Sequence, residues 1–545
     1  MTQRPQSTQR ATRGGWGNNL SLSFSAFSAR SASSFSFLLL AGVLAGCQNA
    51  GHDRVLGIEA TSEVRGFAYF DANRSRRIDS VDTPIQGLRV FLSDRGTSDT
   101  VATAVSAASG TLSFNAVPVG GYDVRLDQAS VGDSLVLVRI DTSQVDLAPG
   151  DTVAISVGVS YPLLTVAEAR TATTGQKVFV AGVALTATNL FADTTAHLVA
   201  ATGPLRLVRV LTGLAPGDSV NRFAPGDSVL ARGTVSVRDG EPVLRDVSVF
   251  RLGIGTLSAA ESLATATVGS ANGGVLDAGL ARAGGTLQDT VTVGRDLVLD
   301  VDDGSGVLRV LLDADLALQP SPYLVNPARV IATGVLVPAG AGKWYLKPRS
   351  NLDIHVQVDV VPTAQVRQKT SGTRLFVDGV ALSRPNLYGD STMHMADTSG
   401  AIRVVKTLQG NIFAGDSIRV AGVVASRDGQ AVISASTIYR LGFGAAPLAR
   451  LVTTAEAASA IGGTLDAAFV RITGTIDTAY AGSGGDFRAV VNDGSGAVTV
   501  LLDGDVGFNT TPWVKGASVD ARGLLVPESG VWVVKPRAPT DVVQP

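Results

Sequence analysis

Asp302-Asp303-Gly304-Ser305-Gly306-Val307-Leu308-Arg309-Val310-Leu311-Leu312-Asp313-Ala314-Asp315 recurs as Asn492-Asp493-Gly494-Ser495-Gly496-Ala497-Val498-Thr499-Val500-Leu501-Leu502-Asp503-Gly504-Asp505. The copies lie 190 residues apart (492 − 302), and a match this long marks an internal repeat. In each copy a tight turn rich in Asp, Gly and Ser feeds an apolar strand that ends on two carboxylates. This predicts a β-hairpin inside a small all-β module that the chain uses more than once.

The repeat extends outward on both sides. Asn189-Leu190-Phe191-Ala192-Asp193-Thr194-Thr195-Ala196-His197 matches Asn386-Leu387-Tyr388-Gly389-Asp390-Ser391-Thr392-Met393-His394. Ala224-Pro225-Gly226-Asp227-Ser228-Val229 matches Ala414-Gly415-Asp416-Ser417-Ile418, and Phe250-Arg251-Leu252-Gly253 matches Tyr439-Arg440-Leu441-Gly442. Each half divides again into two units with a "Val-x-Gly-x-Val" strand, such as Phe179-Val180-Ala181-Gly182-Val183 and Phe376-Val377-Asp378-Gly379-Val380. Short Thr-x-Ala-Glu-Ala stretches precede some units, at Thr165–Arg170 and Thr454–Ala458. Short strands with glycine at their bends suit a small closed barrel. These motifs resemble the OB-fold modules that precede the catalytic domain of extracellular bacterial nucleases. Four such modules are expected, at 163–253, 257–357, 362–443 and 449–545. Modules one and three are siblings, as are two and four; the second fits the entry pattern poorly.

Composition agrees with an all-β chain. Aromatic residues are 6% and charged residues 17% of the 545, with 61 glycines, and Val-rich runs are short and bounded by Gly, Asp and Pro. Formal net charge is −2. The first 46 residues hold Arg4, Arg10, Arg13 and Arg30 and no acid, so the rest carries 41 basic against 47 acidic residues. A mildly acidic chain has no general electrostatic pull on nucleic acid or anionic lipid.

Phe35–Leu44 is a short apolar run preceded by arginines, the shape of a signal-peptide core rather than a membrane span. It ends Leu44-Ala45-Gly46-Cys47, and Cys47 is the only cysteine, so no internal disulfide can form. The ending resembles the bacterial lipoprotein signal. That resemblance implies removal of residues 1–46, diacylation of Cys47, a tether over 47–62, and anchorage by lipid to the cell envelope. Gln48 after the cysteine leans toward the outer membrane.

Residues 62–160 begin with the alternating strand Val64–Phe70, then Asp71-Ala72-Asn73-Arg74-Ser75-Arg76-Arg77-Ile78-Asp79-Ser80-Val81-Asp82, and continue through Gly87-Leu88-Arg89-Val90-Phe91-Leu92, Gly110–Phe114 and Pro118-Val119-Gly120-Gly121-Tyr122. The order resembles the prealbumin-like B-repeat sandwiches (Cna-B, SdrD B-type) of bacterial surface adhesins. In that family the Asp-x-Asn loop binds calcium. Here Asp71, Asn73, Ser75, Asp79 and Asp82 stand at oxygen-bearing positions suited to a hard cation. Arg76 replaces the usual turn glycine, and Arg74, Arg76 and Arg77 could instead pair with the same aspartates. Structural Ca2+ and a salt-bridged surface loop are both open on the sequence.

Catalytic groups are scarce. The four histidines are His52, His197, His355 and His394, and no Ser/His/Asp order, zinc spacing or phosphate-binding glycine loop is present. His197 and His394 hold equivalent repeat positions, which suits shared packing. The paired acids Asp313/Asp315 and Asp503/Asp505, with Asp302, Asp303 and Asp493, read as a cation site or as turn caps. OB-folds that bind single strands use aromatic and basic side chains. The matching candidates are Trp344, Lys347 and Arg349, repeated as Trp532, Lys535 and Arg537, against the alternative of a strand whose Trp plugs the barrel. Arg206, Arg209, Arg403 and Lys406 are expected on a solvent-facing strand. The sequence thus points to a non-enzymatic envelope lipoprotein, one β-sandwich followed by a rod of four OB-like barrels. It would act as a surface scaffold or adhesion protein with cell-surface protein or glycan partners. The second reading is an extracellular single-stranded nucleic-acid-binding lipoprotein.

Overall fold

The computed structural model describes residues 60–210, 223–319, 321–405 and 411–543. Cys47, the apolar run before it and Lys406 lie outside them. The described chain is all-β: one sandwich, then four closed five-stranded barrels.

In the sandwich, Thr61–Phe70 pairs in parallel with Thr152–Ser160 and antiparallel with Thr111–Pro118, and Val136–Ile140 flanks the sheet. Arg89–Asp94, Thr100–Val105, Gly120–Leu126 and Gln144–Leu147 form the opposing sheet. The two-residue period of a strand sends alternate side chains to one face. Val90 and Leu92 of one sheet therefore meet Leu112 and Phe114 of the other in a single core.

The third barrel shows the plan of all four. Its strands are Arg374–Ala381, Thr392–Asp397, Gly400–Val405, Asp416–Arg427 and Gln430–Phe443. They close in the order first, second, third, fifth, fourth, first, with the third and fifth parallel at Val404↔Ile433. This is the Greek-key order of an OB-fold. The same parallel pairing recurs at Arg206↔Val243, Arg309↔Tyr345 and Thr499↔Val533. The second barrel has this topology although its entry stretch departs from the repeat. The twelve-residue fourth strand must bend to serve both sides of a barrel this small. It bends at Gly422, where the register shifts and a Cβ would meet Ser434 O at 2.7 Å.

The repeated hairpin forms as read: Asp302 pairs with Val307, and Asn492 with Ala497. Its acids cap the short helix that enters barrels two and four, and barrel three has an equivalent. Asp303 accepts hydrogen bonds from the Thr265 amide and hydroxyl, at 3.1 and 2.7 Å, and Ser305 Oγ accepts one from the Ala266 amide. Asp493 does the same for Thr454, and Asp397 for Thr363. These hydroxyl and amide donors stabilise the charged carboxylate, so Asp303 and Asp493 are held well below the ordinary carboxylate range. Two Thr-x-Ala-Glu-Ala stretches become the helices Val166–Thr171 and Thr454–Ser459. In each, the preceding threonine and the third-position glutamate form a reciprocal capping box.

Candidate functional site at the barrel junctions

The Lys-Pro-Arg motif ends the fifth strand of barrels two and four, and it closes each onto the barrel before it. Lys535 Nζ lies 2.7 Å from Asp503 Oδ2 and 4.3 Å from the centroid of the Tyr388 ring, which belongs to barrel three. Tyr388 Oη donates to Lys535 O at 2.9 Å. Arg537 is held by Asp541, covers the Phe469 ring at 3.6 Å and donates to Leu382 O of barrel three at 2.9 Å. Beneath these polar contacts Leu382, Leu387, Leu501, Leu524 and Val533 form one apolar cluster across the junction.

The first pair repeats the clasp. Lys347 Nζ lies 2.7 Å from Asp313 Oδ2 and 4.1 Å from the Phe191 ring, and Arg349 donates to Leu185 O at 3.2 Å. Strand four must come close for this to work. A Cβ on Gly523 would meet Lys535 C and O at 2.7 Å, so only glycine fits without movement.

These contacts correct the reading of the motif as a nucleic-acid face. Lys347 and Lys535 are buried, and Arg349 and Arg537 are spent on carboxylates and carbonyls of their own chain. Trp344 is buried, its Nε1 donating to Asp277 at 2.9 Å, and Trp532 packs against the fourth barrel's core. The paired acids do not gather for a cation either: Asp313 and Asp503 serve the lysines, and Asp315 pairs with Arg295.

Arg206 and Arg403 are corrected too. They point inward, 4% and 3% exposed. Each donates to an aspartate of the next hairpin, Asp239 at 3.1 Å and Asp428 at 3.0 Å. Arg403 also lies 3.3 Å from the buried Asp466, an aspartate of barrel four that takes a further contact from Arg367. Burial raises the Asp466 and Asp277 carboxyls above their ordinary value, with the neighbouring arginines opposing. Sequence reasoning missed this second clasp. Its signal was the repeated Arg427-Asp428-Gly429 turn, matching Arg238-Asp239-Gly240. Arg209 is exposed and pairs with Asp246.

Beside each lysine clasp sits a buried histidine. The His394 amide donates to Ser383 Oγ at 3.0 Å, its Nδ1 lies 3.3 Å from the same oxygen, and its Nε2 has no hydrogen-bond partner. His197 repeats this with Thr186. Burial first, then nearby Arg and Lys charges, lowers both imidazoles to about 3, so the rings are neutral. At the second pair His394 lines a polar cavity of about 290 Å³ with Tyr388, Arg403, Arg427, Asp486, Glu528 and Lys535.

The other junctions are also closed. Phe376 and Ala421 of barrel three pack with Val325, Ala328 and Val356 of barrel two, and Tyr323 meets Tyr439 edge to face at 5.0 Å. On barrel one the equivalent face receives the sandwich: Arg74 lies over Phe179, and Arg232 donates to Ala72 O at 2.9 Å.

The 71–82 loop does not present a calcium cage. Asp71 accepts the Ser75 and Arg76 amides, Asp82 those of Ala72 and Asp79, and Asp79 the Asn73 amide and the Val81 N–H. Arg74 leaves the loop to donate to Tyr161 O. Among the described residues no group of three or more His, Cys, Asp or Glu is placed to hold a metal ion. The loop's aspartate oxygens accept its own backbone and side-chain amides.

No family model and no curated protein matches the chain. Among solved structures it is similar to an OBody bound to hen egg-white lysozyme (19% identity, 18% of this chain and 98% of that one, TM-score 0.14). It is similar to the Ifi202 HINa domain in complex with 20-bp double-stranded DNA (12%, 30% and 96%, TM-score 0.17). It is also similar to GBS52, the minor pilin of Streptococcus agalactiae (12%, 19% and 45%, TM-score 0.14). At these scores the likenesses are local and carry nothing about function.

Proposed function

We propose that the chain is a non-catalytic scaffold of the cell envelope, anchored through a lipid on Cys47 and presenting its sandwich and barrels in a fixed arrangement. One observation supports this most: successive bodies meet through buried ion pairs such as Arg403–Asp466, ring contacts and apolar clusters rather than bare linkers. Desolvated, mutually satisfied contacts of this kind specify one geometry and resist hinge motion. The groups that chemistry would need are meanwhile engaged in packing. The Ser383–His394 contact is buried, and an imidazole with a pKa of about 3 is a weak base at neutral pH.

The nucleic-acid alternative loses the residues on which it rested: Lys347, Arg349, Lys535 and Arg537 contact the preceding barrel, and Trp344 and Trp532 pack within their own barrels. The reading is tested by fractionating cells that express the full chain or Cys47→Ser. The expected result is a wild-type protein in the membrane fraction that takes up labelled fatty acid, and a variant released from it. Wild-type protein free of membranes and lipid would overturn the anchor.

A further inference from the structure

We propose that the junction between the sandwich and barrel one binds a small amphiphilic carboxylate, its apolar body beside Phe70 and Tyr161 and its anionic end at Lys177 and Arg232. The inference goes beyond the scaffold reading and does not depend on the lipid anchor.

Barrel one differs here from its sibling, barrel three. In barrel three Ala421 stands opposite Phe376, and Val325, Ala328 and Val356 of barrel two pack over them. In barrel one Arg232 takes the place of Ala421, opposite Phe179. Covering a guanidinium with aliphatic side chains is costly. Two grooves remain at this face, of about 840 and 450 Å³, and Phe70, Tyr161 and Lys177 line both.

The charges of the shared wall argue for an anion. Among the described residues Lys177 forms no ion pair or hydrogen bond, and its ammonium lies 5.6 Å from the centroid of the Tyr161 ring. Arg232 is half-buried, and its donors go to neutral groups, Ala72 O at 2.9 Å and Ser248 Oγ at 3.5 Å. Burial lowers the Arg232 pKa and only Tyr161 opposes, so no carboxylate offsets the buried charge. Lys177 pairs with Thr234, two residues from Arg232, so the two cations are diagonal neighbours on one face of the sheet. Arg74 adds a third cation over Phe179, with Asp71 beside it. Of the acids lining the grooves, Asp246 is held by Arg209 and Arg245, each at 3.3 Å, and Asp133 lines the larger groove. The apolar body has its own place. Phe70 and Tyr161 meet edge to face at 5.0 Å, and Pro84, Ile85, Val131 and Leu135 continue that wall. The larger groove falls in the size range of small-ligand sites. A carboxylate there accepts charge-assisted hydrogen bonds from the two cations while its hydrocarbon leaves water.

The test is isothermal titration calorimetry on the full chain carrying Cys47→Ser, which needs no detergent. The probes are octanoate and 4-phenylbutyrate, their neutral counterparts octan-1-ol and 4-phenylbutan-1-ol, and acetate. The expected result is saturable binding of at least one of the two long acids, with its alcohol and acetate each binding roughly tenfold more weakly or not at all. Lys177→Gln, at an exposed position, and Arg232→Gln, which keeps an N–H donor for Ala72 O, should each weaken the acid roughly tenfold. Lys343→Gln, an exposed lysine of barrel two, should leave it unchanged. No saturable binding of either acid up to about 10 mM, equal affinity for the alcohol or for acetate, or unchanged affinity in both Lys177→Gln and Arg232→Gln would overturn the proposal. None of these failures would disturb the scaffold reading, which is measured by membrane attachment and by inter-barrel distance.

Discussion

Lys535 and Asp503 form an ion pair of 2.7 Å with side chains only 9% and 8% exposed, and the Tyr388 ring of the neighbouring barrel covers the ammonium. The pair joins the end of the fifth strand to the end of the third within barrel four, and the ring makes that internal bond part of a junction.

Removing one partner should cost far more than replacing both. Lys535→Met leaves a buried carboxylate unpaired, a loss of about 3–5 kcal/mol. The double variant Lys535→Met/Asp503→Leu should recover most of it. Urea unfolding followed by Trp513 and Trp532 fluorescence reads both; equal losses in the single and double variants would contradict the role given to the pair.

The two buried histidines make stability depend on pH. Their folded pKa values fall from 6.5 to about 3, so between those values the unfolded chain binds protons that the folded chain excludes. Stability is full above about pH 6.5 and is lost as pH falls toward 3, by up to ~1.4 kcal/mol per pH unit for each ring. Between pH 7 and 5, where most carboxylates stay ionised, the urea midpoint should drop. In His197→Gln/His394→Gln that slope should flatten. An unchanged slope would place the pH dependence elsewhere.

Gly523→Ala should weaken the second clasp from below. Its Cβ would meet the Lys535 backbone at 2.7 Å, within a strand that cannot retreat without opening the barrel. A loss of roughly 1–3 kcal/mol is expected. Gly530→Ala, at a turn where a Cβ meets nothing, serves as the comparison for left-handed backbone strain alone.

Single-stranded DNA should not bind in the salt-dependent way of an OB-type nucleic-acid protein. The basic residues of the motif are paired internally, and the chain is mildly acidic. A titration at low salt should show no tight complex; binding that weakens steeply with salt would restore the nucleic-acid reading.

Much of the fold was legible because its causes are local. Alternation in Val64–Phe70, the Asp-Gly-Ser-Gly turn and the glycine-bent strands each act within a few residues, and repetition showed that they make units. The candidate site was only half legible. Lys-Pro-Arg was visible as a repeated motif, yet its meaning lies in Tyr388 and Leu382, about 150 residues away. Arg206 and Arg403 resemble solvent-facing residues on a strand until the aspartate of the next hairpin folds over them. The Asp71–Asp82 spacing was ambiguous for a similar reason: oxygen-bearing residues at loop spacing also serve a loop's own amides.

The most direct measurement is the distance distribution between barrels three and four. Spin labels at Ser426→Cys and Thr478→Cys, both exposed positions, can be placed uniquely once Cys47, the only cysteine, is changed to serine. Pulsed electron paramagnetic resonance should give one narrow distance. Adding Lys535→Ala and Arg537→Ala should broaden it. A broad distribution in the parent protein would mean that the barrels swing freely, and the scaffold reading would fall.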